Sequence, residues 1–405
     1  MTIPNPTSSM QEPAAKVWQR GVFIALIAFL TLIDLFGSQA LLPMLVDAYD
    51  TTPAAMGVAV NACTIGMAAA SLLIAFVGHK LDRRFWIWMS LAMLAVPTAL
   101  LGVVDNIALF AALRIIQGCF MAAAFTMTMT WLSERCTITA ATGAMAAYIT
   151  GNVASNLFGR LLAVSLADQF GLSASFFAFS ALNLAGAALA FMYFTRSSGG
   201  GAGNVQPKPQ PGSGRAWTTH LKNPSLAACF GIGFLVLFVF IGVFTYVNFV
   251  LVGEPFRVEP GTLGLVYLIF LPSLFTTPAA GRLVTWAGTR GAFWVTVVVA
   301  CIGLAMLATN HLMVVLVGLA LVAIGTFAAQ AIATGFVGRA AKTNRAAANG
   351  TYLASYYFGG LAGSVVVGRL FEEFGWTVTV SFMIAALALA GFMARWLVVQ
   401  VEPDE

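Results

Sequence analysis

Charge is what this sequence has least of. Only 9% of its 405 residues are Asp, Glu, Lys or Arg, against about a quarter in a soluble domain. Histidine is nearly absent: His79, His220 and His311 fall in or near polar segments. The five cysteines (Cys63, Cys119, Cys136, Cys229 and Cys301) have no C-x-x-C spacing and sit mostly inside apolar runs. They read as small packing residues rather than metal ligands or disulfide partners. No glycine-rich phosphate loop or metal-ligand cluster appears, so an enzyme, a bound cofactor and ATP-driven work within this chain find no support. No small-residue cleavage site follows the first apolar run, which is too long for a signal peptide and reads as a span.

What fills the sequence is apolar residue. It is 60% hydrophobic, with mean hydropathy +0.90, and the runs are continuous rather than alternating. Continuous runs in a bilayer mean helices, not a β-barrel. Runs of about 20 residues give twelve spans, at 21–46, 53–77, 86–105, 107–132, 142–167, 173–195, 223–251, 260–287, 291–309, 311–337, 347–370 and 376–400. Between spans 6 and 7 lies 196–222, rich in Gly, Ser and Pro, a linker without a core. The expected organisation is a tail (1–20), a six-helix bundle (21–195), the linker, a second six-helix bundle (223–400) and a tail (401–405).

The few charges are sorted by side. Twelve spans put both termini together, and 16 of the 20 Lys and Arg fall on that side. Arg257 alone lies on the other, and Arg114, Arg160 and Arg369 lie within spans. By the positive-inside rule the termini are cytoplasmic. The net charge of +5 and pI near 9.1 thus reflect topology in a bacterial inner membrane, not nucleic-acid binding.

The halves also repeat. The loop Gly78-His79-Lys80-Leu81-Asp82-Arg83-Arg84-Phe85-Trp86 aligns with residues 281–290, 203 positions later. Span 5 ends with Gly159-Arg160-Leu161 and then Phe170-Gly171; span 11 ends with Gly368-Arg369-Leu370 and then Phe374-Gly375. Matched elements in matched spans mark a duplicated transporter architecture.

On these motifs the chain resembles a major facilitator superfamily transporter, closest to the twelve-span drug:proton antiporter branch. Gly78, Asp82 and Arg83 match the signature loop Gly-x-x-x-Asp-Arg-x-Gly-Arg, with Phe85 at the second glycine. The second copy keeps Gly281, Gly288 and Arg290, with Thr285 in place of the acid. Arg114-Ile115-Ile116-Gln117-Gly118 is similar to the family's Arg-x-x-Gln-Gly. In span 5 the antiporter stretch Gly-Pro-x-x-Gly-Gly becomes Ser155-Asn156-Leu157-Phe158-Gly159-Arg160, without the proline. The resemblance implies an all-α membrane protein of two pseudo-symmetric six-helix bundles, a monomer working on a small molecule and protons. Two functions follow: proton-coupled efflux of amphiphilic organic compounds, or import or exchange of a small organic anion.

Ionisable groups inside spans are the first candidates for chemistry, because the bilayer makes them expensive. Asp34 lies mid-span, about 15–20 Å from either end of span 1 at 1.5 Å per residue. It is expected to carry protons or to balance a cationic substrate, or else to be a structural carboxylate paired with an arginine. Arg114 sits about 10 Å deep; the resemblance puts it on the same cavity, where it is expected to couple with Asp34 or to pack against carbonyls. Arg160 and Arg369 read as symmetry mates at a gate, either snorkelling to the interface or offering a cavity pair to an anion. Asp82 is expected to cap a helix; the resemblance implies span 11, near Arg345, as its partner. Together with Gly78 and Arg83 these form the candidate gate. Candidate cavity residues are Gln39, Asn61, Tyr148, Asn152, Asn156, Tyr246, Asn248, Gln330, Tyr352, Tyr356 and Tyr357. Rows of small residues (Gly151, Ser155, Gly159 and Gly359, Gly363) let helices approach closely and read either as seams on which the halves rock or as structural packing.

Overall fold

In a bilayer every backbone N–H and C=O must be satisfied within the chain, and this sequence does so with helices alone. The computed structural model describes residues 14–77, 81–135, 138–197, 220–341 and 345–398, and among these there is no strand. Spans 1 to 6 correspond to Ala14–Ala40 continued by Leu42–Ala48, Pro53–Asn61 with Cys63–Val77, Arg83–Leu100, Ile107–Arg135, Ile138–Phe170 and Leu172–Ser197. Span 7 is Pro224–Val252 and span 10 is Leu312–Ala340. Spans 8 and 9 share the continuous run Leu263–Met306, and spans 11 and 12 share Ala347–Trp396.

Those two runs have 44 and 50 residues. Straight, each would exceed about 60 Å, twice a hydrocarbon core of about 30 Å. Both are broken by a glycine, Gly288 (φ 69°) and Gly375 (φ 75°), in a region that side-chain-bearing residues rarely adopt. Packing shows that the chain reverses at Gly375. Gly359 and Gly363 of span 11 meet Phe234 and Phe238 of span 7 in parallel order, whereas Met383 and Met393 of span 12 meet Gly242 and Gly231 in antiparallel order. Gly171 (φ 86°) makes the equivalent break in the first half, so the repeated Phe-Gly dipeptide is one turn used twice.

Helix starts follow their capping residues. Thr52 accepts from the Ala55 N–H ahead of Pro53, and Asn223 accepts from Ser225 and Leu226 ahead of Pro224. Two spans read as unbroken are interrupted near prolines. Span 1 breaks at Leu41, two residues before Pro43, and span 8 passes through a 3-10 turn, Tyr267–Phe270, just before Pro272. Proline lacks the N–H and its ring crowds the preceding turn.

The small-residue rows bind helices within each half, which favours the structural-packing reading over a seam on which the halves rock. A Cβ on Gly151 would lie 2.1 Å from the Ala25 carbonyl oxygen of span 1, and one on Gly359 would lie 2.0 Å from that of Phe234 in span 7. Lipid provides little hydrophobic drive for helix association, so such close backbone approach is what holds each half together. Gly359→Leu is therefore expected to abolish folding. Its yield of monodisperse protein after size-exclusion chromatography should fall to background.

The same contacts set the register between the halves. Gly151 corresponds to Gly359 and Ser155 to Gly363, an offset of 208, so Arg160 corresponds structurally to Gly368. The motif match to Arg369 is one residue out of register. One residue turns a side chain by about 100° around a helix. Arg369 is exposed on the outside of its bundle, whereas Arg160 is fully buried. The expected arginine pair does not form.

Candidate functional site

Polar side chains inside the bundles gather into two clusters. The first surrounds Asp34, which is 1% exposed. Its Oδ2 accepts from Asn183 Nδ2 of span 6 (2.7 Å), Thr98 Oγ1 of span 3 (3.0 Å) and Gln117 Nε2 of span 4 (3.3 Å). Its Oδ1 is buried and meets no hydrogen-bond partner among the described residues. Spans 3, 4 and 6 thus converge on a single carboxyl oxygen of span 1.

Arg114 is close but forms no ion pair with this carboxyl among the described residues. Its guanidinium donates to Gln117 Oε1 (2.6 Å), to the Val60 carbonyl (2.8 Å) and to the Asp34 backbone oxygen (3.5 Å). Gln117 stands between them, its oxygen on Arg114 and its amide on Asp34 and Thr98. Thr98 has one hydroxyl proton and two acceptors in reach, Asp34 Oδ2 and the Leu94 carbonyl at 2.7 Å. A negative charge on Oδ2 would strengthen the bond from Thr98 relative to that to Leu94. Thr98 and Asn183 were not among the sequence candidates. Their only signal was a polar residue amid apolar ones.

The second cluster joins the two halves on the side away from the termini. Arg160 donates to Asn156 Oδ1 (2.9 Å) and Gln39 Oε1 in its own half and to the Phe244 carbonyl (3.2 Å) of span 7. Its guanidinium lies 4.7 Å from the ring centre of Tyr267 in span 8. Tyr267 donates to Asn248 Oδ1, Asn248 Nδ2 donates to the Gln39 carbonyl (3.0 Å), Gln39 Nε2 to Asn61 Oδ1 (2.8 Å), and Asn61 Nδ2 to Thr245 Oγ1 (3.2 Å). Beyond it, Glu372 Oε1 of span 11 accepts from the Ala54 N–H of span 2 (2.8 Å). Tyr246 donates to the Ser364 carbonyl (2.6 Å), its hydroxyl lodged between Gly57 of one half and Gly368 of the other. This side of the molecule is closed.

Of the expected cavity residues, Asn152, Gln330, Tyr356 and Tyr357 line one cavity between the halves, with Phe36, Phe125, Phe240 and Phe327. Gln39, Asn61, Asn156 and Asn248 belong instead to the closed junction. Tyr148 is buried against Phe125 (4.6 Å between ring centres), and Tyr352 is stacked near Tyr356 (6.1 Å). The cavity measures about 30 Å³, room for about one water, so an organic solute requires the halves to part. A larger groove of about 420 Å³, between spans 8, 9 and 10, opens on the outside of the bundle, away from both clusters.

At the signature loop, Asp82 accepts from the Arg84 N–H (3.0 Å) and caps its own helix, while Arg83 donates to the Leu81 carbonyl (2.7 Å). Gly78 lies outside the described residues, and of Arg345 only the backbone, at the start of span 11, is described. In the second copy Arg290 donates to the Leu397 carbonyl (3.2 Å), tying span 9 to the end of span 12.

Comparison with known proteins agrees with this architecture. An uncharacterized transporter of Buchnera aphidicola subsp. Schizaphis graminum is 26% identical over 358 residues, 88% of this chain and 86% of that protein. The MFS-type transporter YybF of Bacillus subtilis is 25% identical over 91% of each chain. The inner membrane transport protein YnfM of Escherichia coli is 25% identical over 88% of this chain and 85% of its own. Among solved structures, a bacterial homolog of the human lysosomal transporter Spinster, in an inward-facing and unoccupied conformation, superposes with a TM-score of 0.67 at 13% identity over 95% of both chains. The model of the Major Facilitator Superfamily matches residues 24–292 and 245–405, and with its twelve helices in two pseudo-symmetric bundles the chain belongs to that superfamily of membrane transporters.

Proposed function

We propose that the protein is a proton-coupled secondary transporter that exports small amphiphilic organic compounds by alternating access. The observation that carries this reading is Asp34: a mid-membrane carboxyl, fully buried, bonded through one oxygen to neutral donors from three other spans. A permanent structural carboxylate in lipid calls for a paired cation; here the cation is one glutamine away. The cavity supports an amphiphilic substrate, since its lining is mostly aromatic and aliphatic with a few amides and hydroxyls and no charged side chain. The charge asymmetry supports an inner-membrane protein with cytoplasmic termini. The closed junction at Arg160 and Tyr246 is then the outer gate, and residues 196–222 are a cytoplasmic linker between two rocking units.

In this conformation Asp82 serves its own helix. In the outward-open conformation the gate reading assigns it to the start of span 11. Asp82→Asn separates the two roles, because Asn caps as well as Asp but carries no charge. Transport by Asp82→Asn is expected to fall severalfold with thermal stability unchanged; unaltered transport would leave only the cap.

The function is tested with purified protein in liposomes loaded with cationic, neutral and anionic amphiphiles, with and without a proton gradient. Gradient-driven movement of at least one class supports the reading, and movement indifferent to the gradient in every class refutes proton coupling.

A further inference from the structure

Arg160 is a charge that proton coupling at Asp34 does not use. It is 0% exposed, and its partners are two side-chain amides, one backbone carbonyl and the Tyr267 hydroxyl, with no carboxylate among them. Burying a guanidinium among neutral dipoles alone is unfavourable, and the arrangement persists only where the site has another use for the charge.

The geometry of those partners decides what the charge does when the halves part. Asn156 and Gln39 belong to the first half and move with Arg160. The Phe244 carbonyl and the Tyr267 ring belong to the second half. Opening the gate removes both, and leaves Nη1, which donates to the Phe244 carbonyl in the closed state, directed into the opening beside Nη2 with no acceptor on that side. A fork of N–H donors in a weakly solvated cleft matches a carboxylate, which accepts two parallel bonds.

The surroundings define the rest of the ligand. The rings of Phe36, Phe244 and Phe270 lie within 5.9 Å of the guanidinium carbon, measured to their centres. Phe36 and Phe240 also line the cavity between the halves, and Phe240 packs against Phe244 (4.8 Å) and Phe327 (5.2 Å). A continuous aromatic wall therefore runs from the cavity to the charge. We propose that Arg160 is the head-group site for the substrate: an organic monocarboxylate with an aromatic or aliphatic body, its carboxylate on Arg160 and its body against the Phe36–Phe240 wall. This names a substrate class for the transporter proposed above and rests on that reading of the cavity, though not on its proton coupling.

The test uses full-length protein in detergent and three probes of one shape: 1-naphthoate, 1-naphthamide and 1-naphthylmethylammonium. Wild type should bind the carboxylate roughly tenfold to a hundredfold more tightly than the amide, the equivalent of hydrogen bonds to a charged group, and should not bind the ammonium measurably. Arg160→Lys, which keeps the charge and loses the fork, should lose most of that preference, and Arg160→Gln all of it. Because a change at a buried arginine can impair folding, the wild-type preference stands as a readout of its own. Equal binding of carboxylate and amide by wild type overturns the proposal, as does an undiminished preference in a folded Arg160 variant. If wild type shows the carboxylate preference but proton-driven transport proves absent from it, proton coupling fails and the carboxylate site stands.

Discussion

Replacing Asp34 with Asn is expected to reduce proton-driven transport in liposomes to the rate of protein-free vesicles, while the protein folds and still exchanges substrate across the membrane without a gradient. The reasoning is steric and electrostatic together. Asn has the shape of Asp, and its amide oxygen can accept from Asn183, Thr98 and Gln117 as Oδ2 does. What it cannot do is gain and lose a proton. The bond from Thr98 then no longer strengthens with charge, and the junction of spans 1, 3, 4 and 6 is held in one state. Loss of exchange together with coupling would mean that Asp34 holds the bundle rather than the proton.

Gly57→Val is expected to produce a folded protein that cannot close the gate. A Cβ at Gly57 would lie 2.4 Å from the Tyr246 hydroxyl and 2.9 Å from its ring carbon Cζ. Tyr246 cannot swing aside without giving up its bond to the Ser364 carbonyl. Unlike the clash at Gly151 or Gly359, this one lies between halves, so a rigid-body opening relieves it without unpacking either bundle. Transport should fall by more than tenfold with normal yield, and a cysteine introduced at Thr245 should become reactive to a membrane-impermeant maleimide. Adding Tyr246→Phe removes the closest contact and should restore part of the activity. If Gly57→Val transports normally, the closed junction is not a step in the cycle.

Much of the architecture was legible in the sequence for one reason: lipid forces helices, and helices of bilayer length leave continuous apolar runs. The breaks at Gly171 and Gly375 were visible as a repeated Phe-Gly, and Asp34 as a charge where charge is costly. The partners of Asp34 were not visible. Thr98 and Asn183 are single polar residues in spans 3 and 6, and only helix packing brings them to one oxygen. The Arg160–Arg369 pairing failed because identity of residues was taken for identity of register. Backbone contacts at Gly151 and Gly359 set the true alignment one residue away, which is enough to move a side chain from the centre of the molecule to its outside. For Gly151 and Gly359 themselves the choice between structural packing and a rocking seam stayed open, because spacing alone does not say which helix lies across from a small residue.

Proton exchange at Asp34 is the central claim, and it can be read without a membrane. Purified protein in weakly buffered solution with a pH indicator is mixed with a compound that the liposome panel has identified as substrate. Wild type should change its bound protons on binding, Asp34→Asn should bind the same compound with no change, and Asp82→Asn should behave as wild type. A proton signal in Asp34→Asn equal to that of wild type would place the exchange at another residue and contradict the account.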